Sequence, residues 1–360
     1  MKKYRVKKKL EIKIKKEFNR CLKQDKRPAL DSIIKHIKPF VKFNRGVTFP
    51  VNLGKLDLSK CKYVYRDNAK FSGVSTHTYS DKWFIVNGKQ ALYKTYDGAS
   101  YSYAKEFRTT NEVLCYELAK QLNIPCVSYQ FAHLENTNGT ITYNALKEKQ
   151  TIVPFVHIIS NLSDLEKFHD FTYYRDGILN FAKMNNIKVD IEKVLFRIYQ
   201  IIIFDMLTFQ TDRNLSNISF IIETDKNKNK TLKVFPLFDS EFAFGVFALV
   251  DDNEKVDLSR WEFLKRYENY STKIGFNKFN NGYLANLGGA VYLASKNPKY
   301  AEFLINVANN FNIKEVLSQM EADGVKFSKQ QKQLYITLCS YSKKCLQEEL
   351  KFQMITSNNK

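Results

Sequence analysis

Asp212 and Asn217 lie five residues apart in the polar stretch Gln210-Thr211-Asp212-Arg213-Asn214-Leu215-Ser216-Asn217, and Asp239 closes the apolar run Leu237-Phe238. These residue types suit phosphoryl transfer, which asks little covalent chemistry of a protein. It needs an acceptor hydroxyl held in line and divalent cations bridging the phosphate oxygens. A carboxylate at the head of a loop can orient that hydroxyl and take its proton, the role this spacing gives Asp212. Magnesium prefers hard oxygen ligands, and Asn217 with Asp239 supplies them. An Asp-x-x-x-x-Asn pair alone is common in turns, where both side chains bond the local backbone. Its coupling to a later apolar-apolar-Asp is what makes the pattern specific.

The same chemistry needs a strand lysine on the α- and β-phosphates and a carboxylate that holds it. Lys94 is the candidate cation, with Lys89 as competitor, and the plain alternative is an exposed strand lysine. Glu112, at the opening of the following helix, is the candidate carboxylate, with Glu117 as fallback and helix capping as the structural alternative. Ahead of them, the stretch from Phe71 to His77 is placed to meet phosphate. Backbone amides near Gly73 and Val74 and the hydroxyls of Ser75 and Thr76 can cap phosphate oxygens.

The elements that must carry these groups are legible in the pattern. Residues 83–86 and 91–94 flank Asn87-Gly88, a hairpin with a type I′ turn. Leu114, Leu118 and Leu122 share one face of a helix spanning residues 109–122, and Thr109-x-x-Glu112 resembles a capping box. Strands are expected at 127–134 and 140–145, about a turn at 136–139. Beyond residue 157 the pattern is mostly helical: a long apolar helix at 191–207 leads into the polar loop, and others lie at 299–310, 314–320 and 328–350. Between them, strands at 218–222 and up to Asp239 flank a lysine- and asparagine-rich turn at 225–230. The adenine-binding hinge falls after residues 140–143, or as late as 153–156.

The segment 204–245 resembles the HipA-like serine/threonine kinases, a family that includes the CtkA-type bacterial kinases. In those proteins a helix runs into Asn-x-Asp-Arg-His-x-x-Asn, and a metal-binding Asp ends a later strand. Here Gln210 stands for the first Asn and Asn214 for the His, and Leu122-Asn123-Ile124-Pro125 looks like the family's helix-to-strand junction. The resemblance implies an α+β, two-lobed kinase-like fold. Residues 1–45 form a basic helical extension, 46–156 a small β-rich lobe and 157–360 a larger helical lobe. It further implies an ATP- and Mg2+-dependent kinase acting on a Ser or Thr hydroxyl of a protein, as a toxin with an antitoxin partner or as an effector. In that reading Asp212 is the base, Lys94 and Glu112 complete the catalytic set, and Asn217 and Asp239 bind the metal. Gly73, Val74, Ser75 and Lys94 hold the nucleotide.

Bulk properties narrow the rest. A chain of 360 residues, 44% hydrophobic, fits two domains or lobes. Its six cysteines and five histidines are scattered without zinc-ligand spacing, which disfavours metal-hydrolase and Ser-His-Asp chemistry. The longest apolar run falls well short of the roughly 18 residues a membrane span needs, and the lysine-rich N-terminus lacks a signal-peptide core, so a cytoplasmic protein is expected. The net charge of +20 reads as a solvated lysine-rich surface, with contact to nucleic acid or an anionic membrane as the alternative. Two other functions fit the same residues: a lipid or small-molecule kinase, and a non-catalytic binding protein on a kinase scaffold.

Overall fold

Asn87 and Gly88 both adopt positive φ, 49° and 75°, the pair of left-handed residues that a two-residue hairpin turn requires. They join β2 (Lys82–Val86) to β3 (Lys89–Lys94) at the register Val86↔Lys89. The computed structural model describes residues 56–64, 82–95, 105–135, 137–159, 171–210, 212–245, 283–327 and 329–358. The expected basic extension at 1–45 and the phosphate-cradle residues Gly73, Val74 and Ser75 lie outside the described residues.

The hairpin belongs to a five-stranded antiparallel sheet in the order β1-β2-β3-β5-β4, with β1 at Lys62–Val64, β4 at Tyr129–Leu134 and β5 at Thr137–Tyr143. Alternation along β2 and β3 sends Phe84, Val86, Ala91 and Tyr93 into a core with Leu58, Ala132 and Ile141. The β4–β5 turn comes earlier than the expected 136–139. Leu134 already pairs with Thr137, and Glu135 takes the left-handed φ of 54°. Gly139 therefore serves as a strand residue. A Cβ there would meet the Lys94 carbonyl at 2.4 Å and the Tyr93 ring at 2.7 Å, so the glycine is required by close approach. Gly139→Ala should cost about 1–3 kcal/mol through overpacking against β3, read as a lower urea midpoint. An unchanged midpoint would show that β3 can yield there.

Helix α1 (Lys105–Gln121) begins four residues before the expected start at 109. Glu112 thus neither opens nor caps the helix; it lies in the interior and is fully buried. The early turns carry Thr109, Thr110 and Asn111, all buried, so the polar residues that mimicked a helix start are packed inside. Asn111 donates to the carbonyls of Glu241 and Ala243, each at 2.9 Å, and accepts from the Tyr335 hydroxyl at 3.1 Å.

A second sheet has the order β6-β8-β9-β7, from Gln150–Pro154, Ser219–Thr224, Lys230–Val234 and Ile187–Val189 respectively. Because β6 pairs antiparallel with β8, the strand just before residue 156 joins the sheet of the helical half. The helices of this half are α2 (Phe155–Ile159), α3 (Phe171–Met184), α4 (Ile191–Leu207), α5 (Tyr283–Ala294), α6 (Pro298–Asn310), α7 (Ile313–Ala322) and α8 (Lys329–Asn358); α2, α3 and α4 pack on the sheet. Helix α4 has the bounds the sequence pattern gave. Asp190 caps it by accepting the Lys193 N–H, and every residue from Ile198 to Leu207 is buried. Its last turn is fixed by Ser342 of α8, whose hydroxyl donates to the Leu207 carbonyl at 2.8 Å.

The run 237–239 forms no regular strand. Leu237 instead makes a single bridge, accepting the Val127 N–H and donating to the Pro125 carbonyl, both at 2.9 Å. This bridge ties the segment before Asp239 to the approach of β4. Among the described residues no helix is long and apolar enough to cross a membrane.

Candidate active site

The site starts from a charge that an apolar helix cannot leave alone. Asp205 lies buried near the end of α4, where desolvation pushes its carboxyl pKa up. Arg213, one of the largest fully buried side chains, answers it: Nε lies 3.0 Å from Asp205 Oδ2 and the second terminal nitrogen 3.2 Å from Oδ1. The remaining nitrogen donates to the carbonyls of Asn217 at 3.0 Å and Phe238 at 2.6 Å. One guanidinium therefore fixes the backbone at Asn217 and the residue immediately before Asp239.

Gln210 makes the second strut. Its amide oxygen accepts the Asp212 N–H at 3.2 Å and its amide nitrogen donates to the Asp239 carbonyl at 3.1 Å. The loop is further closed where Phe244 and Gly245 donate to the carbonyls of Thr208 and Phe209. Asn214 acts locally, accepting the N–H groups of Ser216 at 2.8 Å and Asn217 at 3.2 Å, an arrangement that shapes the turn.

Asp212 and Asn217 bond each other directly. The Asn217 amide nitrogen donates to the Asp212 carbonyl at 2.7 Å and to Oδ2 at 3.3 Å, while Asn214 reaches Oδ1 at 3.4 Å. That leaves Asn217 Oδ1 as a free acceptor among the described residues. Burial, followed by the nearby Asp239 charge, pushes the Asp212 pKa up to about 6, the range in which a carboxylate can take and return a proton near neutrality.

The other half of the site converges on Lys94. Its Nζ lies 3.1 Å from Glu112, 2.8 Å from Asp239 and 2.5 Å from Glu241. Glu112 uses its second oxygen to accept the Ser240 N–H at 3.0 Å, and Glu241 uses its own to hold Arg108 at 2.5 Å. Burial is the main force on Glu112, reinforced by Asp239 and Glu241 and opposed by Lys94, and its pKa rises to about 7. Asp239 has the left-handed φ of 56°, and its N–H donates to the buried Tyr129 hydroxyl at 3.2 Å. Such a conformation in a non-glycine residue needs surrounding support, which the struts from Arg213, Gln210 and Tyr129 provide.

Glu112, Asp239 and Glu241 bring oxygens within 4.8 Å of one another. These three carboxylates form an all-oxygen donor group, the kind that suits Mg2+. Glu112 and Glu241 are buried against Lys94 and Arg108, whereas the Asp239 side chain is 23% exposed. Of the three, Asp239 is the one whose carboxylate is open to solvent.

Of the residues singled out in the sequence, Lys94, Glu112 and Asp239 are in contact and Asp212 and Asn217 are in contact, with Gln210 and Arg213 linking the two groups. The competitors are elsewhere: Lys89 is exposed at the hairpin turn, and Glu117 pairs with Lys120 at 2.7 Å on the surface. Sequence reasoning missed Arg108, Glu241, Asp205 and Tyr129. Two signals were available, the isolated carboxylate in the apolar run 201–207 and the second acid in Asp239-Ser240-Glu241.

No protein-family model matches this chain, and no curated protein matches it by sequence. Solved structures do. The Helicobacter pylori proinflammatory kinase CtkA superposes with a TM-score of 0.57 at 13% identity, over 83% of this chain and 99% of that one. HipA of Shewanella oneidensis, solved with HipB and operator DNA, gives 0.43 at 10% identity over 89% and 70%. Hydra Fam20, solved with a sugar, gives 0.39 at 12% identity over 75% and 81%. The first of these shows that the chain shares the CtkA fold.

Proposed function

We propose that this chain, which carries the kinase-like fold of CtkA, is an ATP- and Mg2+-dependent phosphotransferase acting on a Ser or Thr hydroxyl of a protein. The observation that carries the reading is the meeting of Lys94 from β3 with Glu112 of α1 and with Asp239, 145 positions away, beside the Asp212–Asn217 loop. Lys94, oriented by Glu112, binds the α- and β-phosphates. Asp239 and Asn217 would hold magnesium, which would supply charge neutralisation to the nucleotide phosphates. Asp212 orients the acceptor hydroxyl and takes its proton as the oxygen–phosphorus bond forms to the γ-phosphoryl group. ADP leaves with the electron pair of the broken bond.

Incubation of the purified chain with γ-labelled ATP and a cell lysate, in magnesium or in excess chelator, tests this. Magnesium-dependent label on serine or threonine supports it. Label confined to lipid or small metabolites would move the activity to that class, and absence of any label would leave a binding protein on this scaffold.

A further inference from the structure

A cavity of about 530 Å³ opens between β7, the first turns of α4 and β9, and none of the catalytic candidates lines it. Val189, Val194, Leu232 and Val234 give it an apolar floor, Val194 and Leu232 being buried. Its rim is cationic, formed by Lys188, Lys193, Lys233 and Arg197, and Asp190 is the only carboxylate among its lining residues.

Two of those cations are held in direct ion pairs. Lys193 pairs with Asp190 at 3.0 Å and Lys233 with Glu223 at 2.5 Å. Lys188 makes no ion pair within 4 Å among the described residues, although the Asp225 carboxylate is near enough to feel its charge, and Arg197 makes none. Arg197 instead donates to neutral acceptors, Gln200 Oε1 at 3.0 Å and the Pro125 carbonyl. Its burial without a counter-charge holds its pKa down to about 10, a cost that an arriving anion would relieve.

Among the described residues the sheet edge beside the cavity is also open. Strand β7 covers β9 only from Lys230 to Leu232, while β9 continues through Lys233 and Val234 with β8 on its other side. Among the described residues no strand follows β7 along that edge. Open backbone donors and acceptors recruit an extended chain, with side-chain pockets setting specificity.

We propose that this groove docks an extended acidic peptide segment bearing an aliphatic side chain. Its carboxylates meet Lys188 and Arg197, and its aliphatic group fills the floor over Val194 and Leu232. Charge complementarity selects the partner and the apolar floor separates it from a generic polyanion.

Binding is measured without nucleotide, so the result does not depend on phosphotransfer. The probe is a fluorescein-labelled peptide of alternating glutamate and leucine, followed by polarisation at about 0.15 M salt. Saturable binding is expected, weakened about tenfold or more by the exposed double reversal Lys188→Glu/Lys233→Glu. Arg197→Gln, which keeps an amide donor for Pro125, should weaken it similarly, with folding of both variants checked by thermal melts. A glutamate–serine peptide of equal charge should bind at least several-fold less tightly. Absence of binding would overturn the proposal, as would unchanged affinity in both variants. Equal affinity for the two peptides would reduce the effect to attraction by a chain of net charge +20.

Discussion

Asp212→Asn lowers single-turnover phosphotransfer by about 10²- to 10⁴-fold, the usual contribution of a positioned general base, while ATP binding persists. The substitution keeps the shape of the side chain and the Asp212 carbonyl that Asn217 holds at 2.7 Å. It exchanges one carboxylate oxygen for an amide, so one of the two weak contacts, from Asn217 at 3.3 Å or Asn214 at 3.4 Å, must rearrange. The fold should not suffer. Because the Asp212 pKa is raised from 3.8 to about 6, the native state binds its proton more readily than the unfolded chain does. Above pH 6 the ionised group therefore weighs against folding, and neutral Asn removes that cost. The variant's melting temperature should equal or exceed that of the parent. The parent's kcat/KM should fall as pH drops through about 6, where the base becomes protonated, and the variant's residual activity should lack that limb. Undiminished turnover in the variant would remove Asp212 from the mechanism.

How much of this was legible depended on the range of the interactions involved. The Asn87-Gly88 hairpin and α4 were readable because a two-residue turn and an apolar helical period are local properties. The capping-box reading at Thr109 failed because a box is also local, whereas Glu112 is held by partners 18 and 128 residues away, Lys94 and the Ser240 N–H. Its expected contact with Lys94 is present, but its buried setting was not predictable from neighbours. The allegiance of β6 rests on pairing with β8, and the displaced β4–β5 turn on the Tyr93 ring beside Gly139. Likewise Gln210 appeared in the sequence only as a departure from a familial Asn. The structure shows that its longer side chain spans from the Asp212 N–H to the Asp239 carbonyl. Arg108 and Glu241, 133 positions apart, leave no periodic trace.

The second large effect is expected at Arg213, whose role is positional. Arg213→Met should destabilise the fold by about 3–5 kcal/mol, because removal of one partner leaves Asp205 as a buried, uncompensated charge. That is a large share of the roughly 5–15 kcal/mol available to a folded domain, and it should appear as a lower urea midpoint. The same variant strips the donor from the Asn217 and Phe238 carbonyls, now held at 3.0 and 2.6 Å. The two losses separate in the double variant Asp205→Leu/Arg213→Met. With no buried charge left, most of the stability should return, since a well-packed apolar pair can replace a buried ion pair at little cost. Turnover should stay low, because the direct tie between the Asn217 and Phe238 carbonyls is lost and only the Gln210 strut still links the loop to Asp239. The double-mutant cycle thus measures the ion pair by denaturation and the strut by activity. A single variant as stable as the parent would show that Asp205 finds another partner. Full turnover in the stabilised double variant would show that Gln210 and Tyr129 suffice to place the proposed metal ligands.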